Sequence, residues 1–197
     1  QKKLIKKSHI IPKFMYKGII GGNLPAMMVN REQSERKRLP IGAYEPNILC
    51  SNCDNKILGG YENYASKALY GGNLKECECP QFTTVKNPSS PDDLLTIKVE
   101  NMNYHKFKFF LLSLIWRASI SNHSLFERIS IAHNEEVIRR KLFSGKSISE
   151  NMFGVGLIAL QHDYLDFRKI LATGPANPQD EELQVIFVNG IFYLFDL

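Results

Sequence analysis

The sequence predicts an α+β protein, and three observations carry that prediction. The middle of the chain, "NYHKFKFFLLSLIWRASIS", is apolar nearly all round, the mark of a helix buried at the centre of a fold. The last residues, "LQVIFVNGIFYLFDL", set two apolar runs around Asn189-Gly190, the dipeptide of a type I′ hairpin. Helical and strand patterns fall in separate blocks and do not alternate, which argues against a parallel sheet with crossover helices.

The elements follow in chain order. Residues 4–16 are strand-like up to Pro12 and then take a short helical turn. The shared "GGNL" at 21–24 and 71–74 is turn chemistry and not a repeat. Residues 29–46 are polar and basic, a loop or hairpin. In "NILCSNCDNKILGGYENYASKALY" a Cys-x-x-Cys turn leads into a helix, with Ile57, Leu58, Tyr61, Tyr64, Ala65, Ala68 and Leu69 at helical spacing. Gly59-Gly60 weakens it by about 1 kcal/mol per glycine, so it starts late or kinks there. Residues 75–93 read as a loop with one edge strand, and 94–99 as another short strand. "SLFERIS" and "NEEVIRRKLFSG" follow the central helix as shorter helices, the second ending at Gly145. From Asn151 onward the pattern is of strands. The expected organisation is an N-terminal module over 1–75 and a helical plus β-hairpin unit over 94–197.

At 197 residues, 44% hydrophobic, the chain can bury a core of one domain or two small ones. Its longest apolar run, Phe109 to Trp116, is eight residues broken by Ser113, against the roughly 18 needed to span a bilayer. No membrane partner is expected, no secretory signal is recognisable, and a cytoplasmic location is the expectation. Because the chain opens on Gln1, the gene product is expected to extend upstream. Net charge is +5, unevenly placed: residues 1–40 hold ten Lys/Arg against two Glu, and the other 157 hold fifteen against eighteen Asp/Glu. A basic end on a mildly acidic protein points to a polyanion, nucleic acid first.

All four cysteines fall in a short window: Cys50, Cys53, Cys77 and Cys79. Without a secretory signal, disulfides are not expected. Cys50-Ser-Asn-Cys53 has zinc-knuckle spacing, since two thiolates on one tight turn can bind the same ion. Zn²⁺ needs two more ligands. Cys77 and Cys79 are one source, a second Cys-x-x-Cys upstream of Gln1 is another, and a third reading leaves Cys77 and Cys79 as solvent-facing loop residues. Zinc here is a folding element, worth on the order of 10 kcal/mol to a subdomain that lacks its own core.

The opening "KKSHIIPKF" places His9 between a basic run and an apolar Ile-Ile-Pro. Histidine moves protons near neutral pH, and it is also an ordinary strand residue. Ser8-His9-Ile10-Ile11-Pro12, a basic insertion, Asn47-Ile48-Leu49-Cys50-Ser51-Asn52-Cys53-Asp54 and a helix, in that order, resemble the HNH endonucleases, a ββα-metal family on a treble-clef zinc framework. The resemblance covers about residues 6–70. The remainder is similar to bacterial proteins with a like "SHIIPKF" start and "LLSLIWRAS" helix, to which no activity attaches.

That resemblance implies hydrolysis of phosphodiester bonds, of DNA ahead of RNA, in the setting of bacterial defence. It makes His9 the general base, Asn47 the loop residue that keeps the imidazole oriented, and Cys50/Cys53 the zinc pair. Asp54 becomes a ligand of a catalytic Mg²⁺ or Mn²⁺. The basic insertion lies along the phosphate backbone, giving affinity without sequence choice. Ser8 stands where the family carries an Asp or His metal ligand, and a neutral hydroxyl is a poor Mg²⁺ ligand. The 37 residues between His9 and Asn47 also exceed the usual compact hairpin. The alternative is therefore a catalytically inactive, zinc-stabilised module that binds nucleic acid or a partner protein, and an oligomer is compatible with either.

His133, Glu135 and Glu136 open a helix, where carboxylates suit the dipole. They read first as a solvated cap, and His133 or Glu136 as the missing metal ligand is the sharper alternative. His105, His123 and His162 have no assigned role. Tyr104, Phe107, Phe110 and Trp116 are expected in the core and not on a base-stacking surface.

Overall fold

A computed structural model of the chain describes residues 3–16, 26–28, 37–39, 42–85, 95–160, 170–177 and 180–197. Lys2, Lys17, Arg31, Arg36, His162, the first GGNL turn and most of the basic insertion lie outside the described residues.

The N-terminal segment forms a short strand, β1 (Ser8–His9), followed by a 3-10 turn at Lys13–Tyr16. Two strands of the insertion, β2 (Ala26–Met28) and β3 (Lys37–Leu39), pair antiparallel with each other. The next strand, β4 (Tyr44–Glu45), pairs antiparallel with β1, Ser8 opposite Glu45 and His9 opposite Tyr44. The ladder continues toward the knuckle, because Ile5 N–H donates to Leu49 O at 2.9 Å and Leu4 bridges Cys50. Leu4 lies four residues before Ser8, whereas Cys50 lies five after Glu45. One extra residue is thus accommodated in the second strand, a β-bulge. Asn47 sits inside it at φ 63°, a conformation asparagine tolerates better than most residues.

From Asn52 the chain is helical. Asn52–Leu58 is wound as a π-helix and runs directly into α1 (Gly59–Tyr70). The helical path thus begins before the glycine pair, and the winding changes from π to α at Gly59. Gly59 N–H donates to Asp54 O, and a Cβ at Gly59 would lie only 3.3 Å from that oxygen, so the missing side chain makes room for the wider turn.

Beyond a 3-10 turn at Glu76–Glu78 comes an antiparallel hairpin, β5 (Gln81–Val85) with β6 (Thr96–Glu100). The central helix is α2 (Tyr104–Ser119), buried at every position from Phe107 to Ala118. "SLFERIS" gives only a 3-10 turn at Ser124–Phe126, not a helix. The chain there is tied to the sheet instead, Thr173 Oγ1 donating to Leu125 O. Helix α3 (Asn134–Ser144) stops at Gly145, which takes φ 65°, as the sequence expects.

Four strands complete the fold: β7 (Gly154–Ala159), β8 (Leu171–Asn177), β9 (Asp180–Val188) and β10 (Ile191–Asp196), in the antiparallel order β7-β10-β9-β8. The β9–β10 turn is the expected hairpin, with Asn189 and Gly190 at φ 54° and 79°. The expected pair of strands is the centre of a wider sheet.

Among the described residues the buried hydrophobic side chains form one cluster. It joins Ile10, Ile11, Met15 and Tyr16 to Leu58, Tyr64 and Ala65, to α2, to Ile138 and Leu142 of α3, and to Ile186, Val188, Tyr193 and Phe195 of the sheet. Residues of 1–75 and of 94–197 both contribute to it. No helix among the described residues is long and apolar enough to cross a membrane.

Candidate functional site

Ser8 and Asp54 approach each other from the strand pair and the helix. Ser8 is fully buried, and its hydroxyl donates to Asp54 Oδ1 at 2.6 Å. Asp54 is half-buried on the π-helical segment, its N–H donating to Cys50 O at 3.0 Å, so the knuckle and the carboxylate belong to one turn. A hydroxyl on a carboxylate at this distance is a strong, charge-assisted bond.

His9 follows Ser8 on β1 and is half-buried. Its carbonyl accepts from Arg117 Nη1 at 2.8 Å. Arg117 comes from α2, is 1% exposed, and pairs with Glu62 Oε1 of α1 at 2.7 Å, while its Nε donates to Ser113 O at 3.1 Å. A guanidinium so deep in a core needs both an anion and carbonyl partners, and it has them. The strand carrying His9 is thereby braced from behind by residues of both helices.

Glu45, opposite Ser8, is a further carboxylate beside the site. It accepts from Ser121 Oγ at 2.5 Å, Asn122 N–H at 2.8 Å and Asn122 Nδ2 at 3.0 Å. Partial burial opposes its ionisation, but the Ser121 and Asn122 donors outweigh it and hold the carboxyl below the usual range.

Of the residues singled out in the sequence, Ser8, His9, Asn47, Cys50, Cys53 and Asp54 fall on one strand pair and one helical turn. Asn47 is exposed, and its backbone N–H donates to Ile5 O at 2.9 Å, holding the bulge. Cys50 is buried and Cys53 half-buried, whereas Cys77 and Cys79 are both exposed, at the 3-10 turn beyond α1. That turn is held by Tyr64 and Asn103, through Tyr64 Oη to Glu78 O at 3.3 Å and Asn103 Nδ2 to Glu78 Oε1 at 2.7 Å. Among the described residues no group of three or more His, Cys, Asp or Glu is placed to hold a metal ion, so the four-thiolate set is not assembled.

The remaining candidates separate as well. His133 is exposed at the start of α3 and makes no side-chain cap. Glu136 is engaged by Arg139 at 2.5 Å and Arg140 at 2.7 Å, which hold its carboxyl at about 2. Phe107, Phe110 and Trp116 are in the core as expected, but Tyr104 is 43% exposed, because it lies in the first turn of α2 with its hydroxyl on Lys108.

Sequence reasoning missed Arg117, Glu62 and Glu45. The first had a signal: Ser113 and Arg117, four apart in an otherwise apolar helix, are polar groups that must find partners inside the fold. Glu62 and Glu45 gave none, since their roles depend on which elements meet. Chemically, the strand that carries His9 is braced from the helices by Arg117, and the buried Ser8 hydroxyl beside it on the strand already occupies the Asp54 carboxylate. Compared with protein-family models, with curated proteins and with solved structures, the chain matches none.

Proposed function

We propose that the chain is a metal-dependent nuclease hydrolysing phosphodiester bonds, of DNA ahead of RNA, through an HNH-like ββα unit. The observation that carries the reading is spatial. Ser8-His9 on β1, the bulge at Asn47 and Asp54 on the following helix make one small unit, although Ser8 and Asp54 are 46 residues apart in the chain.

In this reading His9 removes a proton from water, which adds to phosphorus as the bond to the leaving sugar oxygen breaks and that oxygen takes up a proton. Arg117 and Glu62 hold the strand that presents the imidazole. Asp54 is the residue that would hold Mg²⁺ or Mn²⁺, and one carboxylate suits Mg²⁺, which retains several waters and takes substrate phosphate as a ligand. When bound, the ion supplies positive charge against the phosphoryl oxygens. Cys50 and Cys53 would give zinc two of its four ligands. The basic first forty residues supply affinity for the phosphate backbone, with a steep salt dependence.

A second reading is a zinc-stabilised binding module without catalysis, and one observation favours it. The Ser8 hydroxyl occupies the Asp54 carboxylate from a fully buried position. Nicking of supercoiled plasmid with Mg²⁺ or Mn²⁺ tests the two. The nuclease reading expects nicking by wild type and none by His9→Ala, with DNA binding retained. Binding without nicking by either protein, across several metals, selects the module. Metal analysis is expected to give about one zinc per chain, and its absence would remove the knuckle from both readings.

A further inference from the structure

Among the described residues Lys108 is the only buried lysine, 3% exposed on the second turn of α2. Its ammonium donates to Tyr104 Oη at 3.0 Å, Ser149 O at 3.2 Å and Glu150 O at 3.0 Å. Three neutral oxygens satisfy its donors and leave its charge uncompensated, since no carboxylate among the described residues pairs with it. Arg117, the other buried cation of the same helix, has Glu62 at 2.7 Å. A lysine stem is long enough to carry its head to water, and a charge kept inside is normally paired.

The ammonium lies on the wall of a cavity of about 370 Å³ between the start of α2 and residues 147–150. That volume is in the range of small-molecule sites. Tyr104, His105 and Phe109 wall it from the helix, and Ile148 and Glu150 from the segment after α3. Because Tyr104 Oη accepts from Lys108, its own proton is left to donate, and a hydroxyl polarised by a cation is the stronger donor. His105 stands edge-on to Phe109, ring centroids 4.2 Å apart, and its ring nitrogens have no hydrogen-bond partner among the described residues. The first turn of α2 holds no acidic residue, so the helix dipole adds positive potential on the same side.

We infer that this cavity binds an organic monocarboxylate. The carboxylate accepts from the Tyr104 hydroxyl and from His105, beside the Lys108 charge, and its apolar body rests on Phe109 and Ile148. A carboxylate alone fills little of the cavity, and the apolar walls call for a body attached to it. One buried cation neutralises one negative charge, and the exposed Glu150 carboxylate disfavours a second, which selects a monoanion over a phosphate dianion. The site shares no residue with the His9 unit, and the inference is independent of the nuclease reading.

Calorimetric titration of the full chain with phenylacetate, benzoate and hexanoate tests it. At least one of them is expected to bind with a Kd of about 1 mM or tighter. Phenylethanol, which keeps the aromatic body without the charge, is expected to bind about tenfold more weakly, and inorganic phosphate not to bind. Tyr104→Phe is expected to weaken the carboxylate about tenfold by removing one donor to a charged group, and Glu150→Gln to tighten it. Lys108→Met is expected to abolish binding. That substitution also frees the Ser149 and Glu150 carbonyls, so the decision rests on Tyr104→Phe and Glu150→Gln, exposed positions where circular dichroism and Tm are expected to stay close to wild type. A wild type that binds none of the three carboxylates overturns the inference. So do phenylethanol or phosphate binding as tightly as the carboxylate, and an affinity that neither Tyr104→Phe nor Glu150→Gln changes.

Discussion

Arg117 is the residue through which the two ends of the site are held. Its guanidinium, buried in α2, reaches His9 O on β1 and Glu62 on α1, so three elements meet at one cation. Removing it would leave a buried carbonyl without its donor and a mostly buried carboxylate without its charge. Arg117→Met is expected to lower stability by about 3 kcal/mol, read as a lower urea midpoint; an unchanged midpoint would show the pair to be dispensable. Glu45 gives a pH dependence. Its folded carboxyl titrates below the ordinary value of 4.5, so its contribution is complete above that pH and is lost as pH falls through the lower folded value. Thermal melts from neutral pH to about pH 3 should show the gap between wild type and Glu45→Gln closing on the acid side. A gap constant with pH would mean the carboxylate form is not what Ser121 and Asn122 stabilise.

At the scale of elements, glycines settle two local geometries by different means. Gly190 sits at φ 79° in the β9–β10 turn, where a Cβ is strained. Gly190→Ala is expected to cost about 1 kcal/mol, a Tm drop of about 2–4 °C for a chain this size, measured by calorimetry. A Tm equal to wild type would mean that the turn relaxes to another type. Gly59 acts through space and not through φ, its missing Cβ letting the helix widen over Asp54 and the knuckle. The hairpin turn and the end of α3 at Gly145 were legible in the sequence because a turn or cap needs its residue at a fixed place in a few adjacent positions. The π-helical start of α1 was not, since spacing alone does not separate five residues per hydrogen bond from four. Both strands of the β5–β6 hairpin were legible, one within 75–93 and one over 94–99, but not that they pair with each other, which depends on the register across the intervening loop.

On the scale of the whole molecule, α2 is the common wall. The N-terminal strand pair, α1, α3 and the inner face of the C-terminal sheet all contribute to one cluster of buried hydrophobics with it. The chain is expected to unfold in one transition, with Trp116 fluorescence and far-ultraviolet circular dichroism giving coincident denaturation curves. Trp116, the only tryptophan, is buried on α2 in that core and reports on it directly. Two resolved transitions would restore the division into independent units. The Cys50-Ser-Asn-Cys53 turn and the His9 strand are then parts of one folding unit with the second half, and a substitution deep in α2 is felt at His9.

The sequence by itself determined the mixed class, the buried central helix, the last hairpin and the stop of α3. Each depends on the chemistry of residues within a turn or two of one another. Only the tertiary structure decided that Ser8 meets Asp54, that Arg117 meets His9 across 108 residues, and that one core joins both halves. Those contacts arise from how whole faces pack, and a buried polar group takes whatever partner packing brings within reach. A sequence can reveal that Arg117 needs an acceptor; which one it finds is a property of the assembled fold.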